Sequence, residues 1–570
     1  MLSASTLKIL FVTLLVTLFL FFTSAFISLK LGAMPWPIVF SIVVSAGLLR
    51  LISRQPNMHD VNMAQAGGTM GGLVAAAVVF VLPGMYLQPL ADIPSVGLLS
   101  LLAGTAGLLG VMLSDRVRHR YVEQLGLPYP AGQAGGELIR EGFDRGALFR
   151  LVLLAGLLTG ALTLFRDHLD LYVVPVALGG GLVLTFLIAP MGVGAGYILG
   201  PKTGLNWLAG AVLGIAVLMP LGAIVTEQLI DISKFTPQLW SQNVGMGLVL
   251  GSGLAQLIFH GRLAGLTDLF RRNRFQWPVL ALSVAGLGLL MAAGISWWGA
   301  LLTIALAWLL VPVAAQLTGA TNLDPLEQFG ILAAFLIAAV YGIFSLPLPG
   351  SARYVIAFFV AVTTAVAGDI GHDFKSAQVV GTPSRYIVRG DLFAVLAIVP
   401  AMPILLAMIR DTFLPQLFTP ALPAPQAKMV YNAFAGLIHL PTFFGSLGLA
   451  LLADGLRWWS RGVAAKSGEP RVQLIPLGIG IFLGWPLSFV IALGGVMRAW
   501  INRRRPAWVR AGVVLAAGIM GGEGLAGFVT AALDAATSLD VTLFRLVGAG
   551  VLAVIAATLV VRQSWSPKSS

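Results

Sequence analysis

The sequence predicts an all-α, polytopic membrane protein with about sixteen transmembrane helices and additional re-entrant segments. Of its 570 residues, 58% are hydrophobic and only 10% are charged, and the mean hydropathy is +0.92. A soluble core could not hide that much apolar surface. The 67 glycines suit closely packed membrane helices. We therefore expect no soluble domain.

Each predicted span is an apolar window of about twenty residues, the length that crosses the hydrocarbon core of a bilayer. A first window after Lys8 is too long for the apolar region of a signal peptide, so we interpret it as a spanning helix. A further apolar stretch, 472–497, is interrupted at Gly484 and predicts a segment that enters the membrane and returns. The spanning windows are 7–29, 36–52, 64–88, 94–113, 147–165, 171–189, 205–226, 243–260, 276–294, 297–318, 326–344, 353–371, 391–409, 430–452, 509–532 and 542–561.

Basic residues give the chain a net charge of +12 and lie in short loops between the apolar windows. This is the positive-inside pattern, and it gives no reason to expect nucleic acid as a partner. With the N-terminus inside, the arginines at 503–505 also fall inside only if 472–497 is re-entrant. We therefore predict an integral protein of the cytoplasmic (inner) membrane with both termini cytoplasmic.

The chain also repeats itself. LIAPMGVGAGYILG in the first half is echoed by LIPLGIGIFLGWP in the second, which aligns Gly192 and Gly194 with Gly478 and Gly480. A fainter echo relates LPYPAGQAGGELI to LPAPQAKMV. Internal repeats are typical of transporters, whose sites lie at repeat interfaces near mid-membrane. The offsets predict an internally duplicated protein, with a first transmembrane repeat over 1–296 and a second over 297–570.

Charged groups end an apolar run within residues 361–390. Asp369 and Asp373 are four residues apart, so they share one helical face, with His372 and Lys375 nearby. Ionisable groups at membrane depth are costly unless they face a cavity or pair with each other. This pattern favours a functional cavity over a solvated helix end. We expect Lys375 to pair with Asp373, which leaves Asp369, or Glu523 farther along the chain, freer to change its protonation.

Three other stretches have both a functional and a structural interpretation. Glu523 lies inside an apolar span and either exchanges a proton or caps a neighbouring helix. Prolines and glycines at 127–136 form either a binding segment or a structural elbow. Asp324 and Glu327, near Asn322, belong either to a polar site or to a solvated turn between helices.

The segment AGDIGHDFKSAQVVGTPSRY resembles a signature of the oligopeptide transporter family, which includes the yellow stripe-like metal-chelate transporters. LPYPAGQAGGELI is similar to a second family motif, and an asparagine–proline turn and a glycine–glutamate pair are similar to two others. The matches follow one another from residue 29 to residue 527 and are nearest to the prokaryotic branch. His372, Ala131 and Asp324 depart from the family pattern. The matching positions are Pro128, Pro130, Gly132, Ala134, Glu137, Asn322, Pro325, Asp369, Asp373, Lys375, Gly381, Thr382, Pro383 and Glu523.

The resemblance implies a secondary active transporter that carries oligopeptides or peptide-like metal chelates across the cytoplasmic membrane by proton-coupled symport. The expected partners are a small peptide or chelate, protons and the lipid bilayer, and a homodimer is compatible with this interpretation. Expected proton-coupling residues are Asp369, Glu523 and Asp373. Expected substrate-binding residues are Gly132, Gln133, Glu137, Asn322, Asp373 and Lys375.

Two other classes of protein remain open at this point. A membrane-embedded enzyme acting on lipid-like substrates would explain paired carboxylates but not the duplication, and a channel-like or scaffold protein would not depend on a proton gradient. The sequence has no cysteine, no GxxxxGK[ST] loop, no HExxH and no GxSxG motif. We therefore expect no enzymatic activity, no cofactor and no metal site.

Overall fold

The computed structural model describes residues 4–32, 38–52, 57–140, 147–179, 182–228, 236–260, 269, 276–321, 324, 326–461 and 472–536. Helices dominate these ranges, which confirms the all-α class. Among the described residues, ten helices are long and apolar enough to cross a membrane. The predicted span 542–561 lies outside the described residues.

The elements before residue 261 include two short π-helical turns, at His119–Gln124 and Gly214–Leu218, which extend α4 and α8. They are α1 (Ala4–Leu31), α2 (Ile38–Ile52), α3 (Met58–Tyr86), α4 (Val96–Arg118), α5 (Pro130–Arg140), α6 (Ala147–His168), β1 (Val173–Gly179), β2 (Leu182–Leu187), α7 (Pro190–Leu199), α8 (Pro201–Leu213), α9 (Met219–Gln228) and α10 (Pro237–His260).

The elements after residue 275 are again helical, and a π-helical turn at Ile409–Phe413 follows the helix that contains Pro400 and Pro403. They are α11 (Gln276–Ala292), α12 (Trp297–Thr321), α13 (Leu326–Ile343), α14 (Ala352–Val380), α15 (Ser384–Met408), α16 (Pro425–Phe434), α17 (Leu440–Arg461), α18 (Leu474–Leu483), α19 (Trp485–Arg504) and α20 (Val509–Ala536).

The chain forms two compact units, each assembled from separate segments. The first contains 1–142, 247–410 and 424–468, and the second contains 143–246, 411–423 and 469–570. The predicted repeat boundary at residues 296 and 297 therefore falls within the first unit, and each unit draws helices from both predicted repeats. The duplication itself stays a prediction.

Two long helices, α3 and α14, form the centre of the first unit. Each has 29 residues, and the apolar window of each is completely buried. They pack against each other, with α1, α2, α15 and α16 around α3 and α4, α5, α12 and α13 around α14. The starts of α3 and α14 are 294 positions apart in the chain.

Two broken helices meet in the second unit. The break between α7 and α8 is at Gly200, where φ is +92°, and the break between α18 and α19 is at Gly484, where φ is +73°. Glycine suits such a backbone because it has no Cβ to clash. The two breaks lie 284 positions apart. The sequence alignment was therefore wrong by two residues, since the helix positions match Gly194 and Gly196 with Gly478 and Gly480.

Close backbone contacts join the two broken helices in a symmetric way. Gly196 lies against Ile491 and its counterpart Gly480 lies against Trp207, and in neither case is there room for a side chain. Ile491 and Trp207 are themselves 284 positions apart. Closely packed glycines of this kind are typical of helix contacts in membranes.

The predicted span 171–189 was wrong. Within this range, β1 and β2 pair as antiparallel strands, and Val174 lies opposite Phe186. Valine-rich segments favour strands, and the three glycines at 179–181 oppose a continuous helix.

Candidate functional site

The candidate site lies in the first unit, on the C-terminal half of α14. Asp373 is completely buried and accepts hydrogen bonds from Gln65 Nε2 at 2.8 Å and from Thr69 Oγ1 at 3.3 Å. Gln65 and Thr69 are four residues apart on α3, so one face of that helix supplies both donors. The first unit thus holds a buried carboxylate between its two central helices.

Two more buried carboxylates lie beside Asp373. Asp369 is one helical turn before it on α14, and Asp391 lies on α15. In the described part of the structure, none of the four carboxylate oxygens of Asp369 and Asp391 has a hydrogen-bond partner. Both residues are close enough to Asp373 for mutual repulsion when charged. A buried charge without a partner is costly, so this group favours binding of a proton or another positive group.

A fourth carboxylate approaches from the connection between α12 and α13. The Asp324 side chain lies against Gly368, where any larger residue would overlap it. Both carboxylate oxygens are buried and lack a partner among the described residues. Burial, and secondarily Glu327, raises the pKa of Asp324 well above its ordinary value of 3.8. We call Asp324, Asp369, Asp373 and Asp391 the acidic cluster.

The segment before α5 is tied to α14 next to this cluster. The Gly132 amide donates to His372 Nδ1 at 3.1 Å, and the Tyr129 hydroxyl donates to the Ala315 carbonyl at 2.7 Å. The Tyr129 and His372 rings meet edge to face at 5.4 Å. Since His372 Nδ1 accepts a hydrogen bond, its proton is on Nε2 and the ring is neutral. Gly132 has no room for a side chain, because the His372 backbone occupies that space.

The expected pair between Lys375 and Asp373 was wrong. Lys375 Nζ donates to Gln378 at 3.1 Å, and Asp373 is bonded to α3 instead. Residues two apart on a helix point in different directions, so the Lys375 and Asp373 side chains do not face each other. The acidic cluster therefore has no lysine partner among the described residues.

The other expected substrate-binding residues lie as follows. Gln133 donates to Glu137 at 2.6 Å along α5, and both side chains are at least partly accessible. Gly132 contacts α14 next to the acidic cluster, as described above. Asn322 lies outside the described residues. Glu327 and Asp324, for which a solvated turn was one interpretation, are instead held in buried surroundings.

Glu523, which is also an expected coupling residue, belongs to the second unit and is paired there. Its Oε1 accepts from Arg166 at 2.5 Å, and its Oε2 accepts from the Met191 amide at 2.8 Å. Arg166 also donates to Asp167 and to the Ile188 carbonyl. Arg166 and Glu523 side chains are 2% and 0% exposed. This network holds the first turn of α7 in place. It therefore favours the interpretation in which Glu523 caps a neighbouring helix.

Sequence reasoning missed the residues that face the cluster from other helices. Gln65 and Thr69, together with Asn62, recur every three or four residues in an otherwise apolar helix, and Asp391 is a lone carboxylate at the start of an apolar run. Both patterns could have indicated these residues. In the described part of the chain, no group of three or more His, Asp or Glu side chains has the arrangement of a metal site.

Together, the fold and the site define a polytopic helical membrane protein with a buried acidic cluster between its two central helices. The family model described as OPT oligopeptide transporter protein matches residues 4–277 and 275–533. The chain therefore belongs to the OPT oligopeptide transporter family, and it is a membrane transporter by class.

Two curated relatives are similar to this chain. A Haemophilus influenzae protein named "Putative oligopeptide transporter" is 24% identical over 601 aligned residues, which cover 90% of this chain and 93% of the relative. A Chlamydia pneumoniae protein named "Probable lipid II flippase MurJ" is 27% identical over 85 residues, or 15% of this chain and 16% of the relative. The first similarity extends over nearly the whole chain, whereas the second is local.

Proposed function

We propose that this protein is a secondary active transporter that carries oligopeptides or peptide-like metal chelates together with protons across the cytoplasmic membrane. Membership of a transporter family supports the transport role. The peptide substrate is supported by the name of the Haemophilus influenzae relative. The observation that carries proton coupling is the burial of Asp369 and Asp391 without a hydrogen-bond partner among the described residues.

Coupling requires a group whose protonation changes during the transport cycle. A carboxylate already held by an arginine does this poorly, because the ion pair stabilises its charged form. Asp369 and Asp391 have no such partner in the described structure, and Asp373 has two neutral donors. We therefore propose Asp369 as the first candidate, then Asp391 and Asp373, with Glu523 last because of Arg166.

We propose that the substrate path runs beside the acidic cluster, where α5 meets α14. Gly132, Gln133 and Glu137 on α5 and Asp373 and Lys375 on α14 would line it. The contact between Gly132 and His372 supports this by linking the two helices. Asn322 remains part of this proposal, on the basis of the family resemblance alone. Amide and carboxylate groups suit a zwitterionic substrate because they supply both donors and acceptors.

The experiment is uptake by proteoliposomes that contain the purified protein and a pH-sensitive dye. Labelled di- and tripeptides, glutathione and metal chelates would be screened first by thermal shift and then for counterflow. An inward proton gradient should drive accumulation of the substrate, and its entry should acidify the lumen. Asp92→Asn is the matched control, because Asp92 is exposed and bonds Ser351 away from the cluster. Substrate flux that does not depend on the proton gradient would instead favour a channel. Turnover of a lipid substrate would favour an enzyme.

A further inference from the structure

A continuous chain of hydrogen bonds leads from Asp373 toward the start of α3. Gln65 Nε2 donates to Asp373 and, at 3.3 Å, to Asn62 Oδ1. Asn62 Nδ2 donates to Thr382 Oγ1 at 3.1 Å, and His59 Nδ1 lies 3.0 Å from the same Thr382 oxygen. We call His59, Thr382, Asn62 and Gln65 the polar chain.

The polar chain goes from a buried end to an accessible end. Asn62 and Gln65 are completely buried and Thr382 is 6% exposed, whereas His59 is partly accessible. Ser376 of α14, also completely buried, strengthens the chain by donating to Asn62 Oδ1 at 2.9 Å. The chain is therefore the polar connection between the acidic cluster and the end of the unit where α3 begins.

The opposite ends of the same two helices offer no such connection. From Met70 to Met85, α3 has only apolar residues and glycines, and all of them are buried. The facing part of α14, from Val355 to Val362, is likewise apolar and buried. Along α3 and α14, ions and water can therefore reach the cluster at low cost from one end only.

Thr382 is the one residue of the polar chain that does not lie on a long helix. It follows Gly381, which ends α14 with a φ of +78°, and it precedes Pro383. Its hydroxyl contacts both Asn62 and His59, so its displacement would separate the accessible residue from the buried ones. The side-chain amides of Asn62 and Gln65 are neither acidic nor basic near neutral pH, so the intact polar chain does not transfer a proton by itself.

We propose that Thr382 and His59 form a gate that closes this end of the acidic cluster, and that protons enter with water when Thr382 moves. The inference rests on the proposed function only for the identity of the ion. Gate opening is a property of the first unit and can be measured without any substrate.

The chain has no cysteine, so a single Ser376→Cys variant reports access to the buried part of the polar chain. In proteoliposomes, we would measure its rate of labelling by a small methanethiosulfonate reagent. Adding Thr382→Val should raise the rate about fivefold, the equilibrium factor for one net hydrogen bond. Thr382→Ser keeps the hydroxyl and should restore slow labelling. Thr364→Val is the matched control, because Thr364 is buried on α14 and, among the described residues, its hydroxyl donates to the Val360 and Ala361 carbonyls of its own helix.

A second measurement tests access to the carboxyl groups themselves. Without substrate, a water-soluble carbodiimide should modify Asp369, followed by mass spectrometry, about fivefold faster in Thr382→Val than in the parent protein, and His59→Ala should raise the rate by a smaller factor. Equal thiol labelling and equal carbodiimide modification in Thr382→Val, Thr382→Ser and Thr364→Val would overturn the gate. Faster thiol labelling without faster modification of Asp369 would overturn its role for protons. If Thr382→Val does not fold, His59→Ala takes its place in both measurements. Failure of substrate-driven proton uptake in the parent protein would count against the proposed function and leave the labelling result intact.

Discussion

Gln65 of α3 donates a 2.8 Å hydrogen bond to Asp373 of α14, and both side chains are completely buried. This contact joins the two helices at the centre of the first unit, 308 positions apart in the chain. It also replaces the lysine partner that the sequence suggested. A neutral donor holds the carboxylate in place without fixing its charge as strongly as an ammonium would.

Gln65→Leu should therefore destabilise the protein, because Asp373 would lose its shortest hydrogen bond while remaining buried. Loss of a hydrogen bond to a buried carboxylate costs about 2 kcal/mol. The melting temperature in detergent should fall clearly, and substrate affinity should fall with it. Gln133→Leu is the matched control for stability alone, since Gln133 donates to Glu137 on an accessible helix face. Equal melting temperatures for the two variants would show that the Gln65 contact contributes nothing to stability.

Asp324 should make stability depend on pH. Burial raises the pKa of Asp324, so the folded protein holds this proton more tightly than the unfolded chain does. The contribution of protonated Asp324 to the free energy of unfolding is complete at low pH. It is lost as the pH rises from the ordinary pKa of 3.8 toward the raised pKa of the folded protein. Asp324→Asn removes this loss of stability. As the pH rises, the melting temperature of the variant should therefore increase relative to that of the parent protein. A constant difference between the two proteins from acid to neutral pH would contradict this expectation.

The buried pair of Arg166 and Glu523 should act in stability rather than in coupling. Glu523→Gln removes one of the two buried carboxylates that pair with Arg166 and leaves Asp167 as the other, at a cost of about 2 kcal/mol, which is typical of a hydrogen bond to a charged group. The comparable pair of Arg457 and Asp454 is 32% and 16% exposed, so Arg457→Ala should cost about 1 kcal/mol or less. Chemical denaturation in detergent would measure both. A Glu523→Gln protein with parental stability but no proton uptake would make Glu523 the first coupling candidate.

The short helix α18 should not cross the membrane. Its ten residues span about 15 Å, roughly half of the hydrocarbon core. If the stretch from α18 to α19 is re-entrant, cysteines placed at Val472 and Arg504 lie on the same, cytoplasmic side. Both positions are at least partly exposed in the second unit. In intact cells, both should resist an impermeant thiol reagent, and labelling of only one would show that this stretch crosses the membrane.

The sequence predicted the fold class, and it predicted that Asp369 and Asp373 lie on one helix, because hydropathy and helical spacing are local properties. It did not predict the partners of Asp373, since Gln65 and Thr69 reach it only through the packing of two distant helices. Lys375 was misassigned because closeness in sequence was taken for closeness in space. The span at 171–189 was wrong for a similar reason, since apolar content alone does not separate a helix from the paired strands β1 and β2.

Uptake by the Asp369→Asn variant decides whether the acidic cluster couples proton entry to substrate entry. The amide resembles a permanently protonated carboxyl group in shape and charge. Proteoliposomes with this variant should exchange labelled substrate in counterflow, yet should neither accumulate it against a gradient nor acidify the lumen, while Asp92→Asn should behave as the parent protein. Accumulation and acidification by Asp369→Asn at the parental rate would contradict the account.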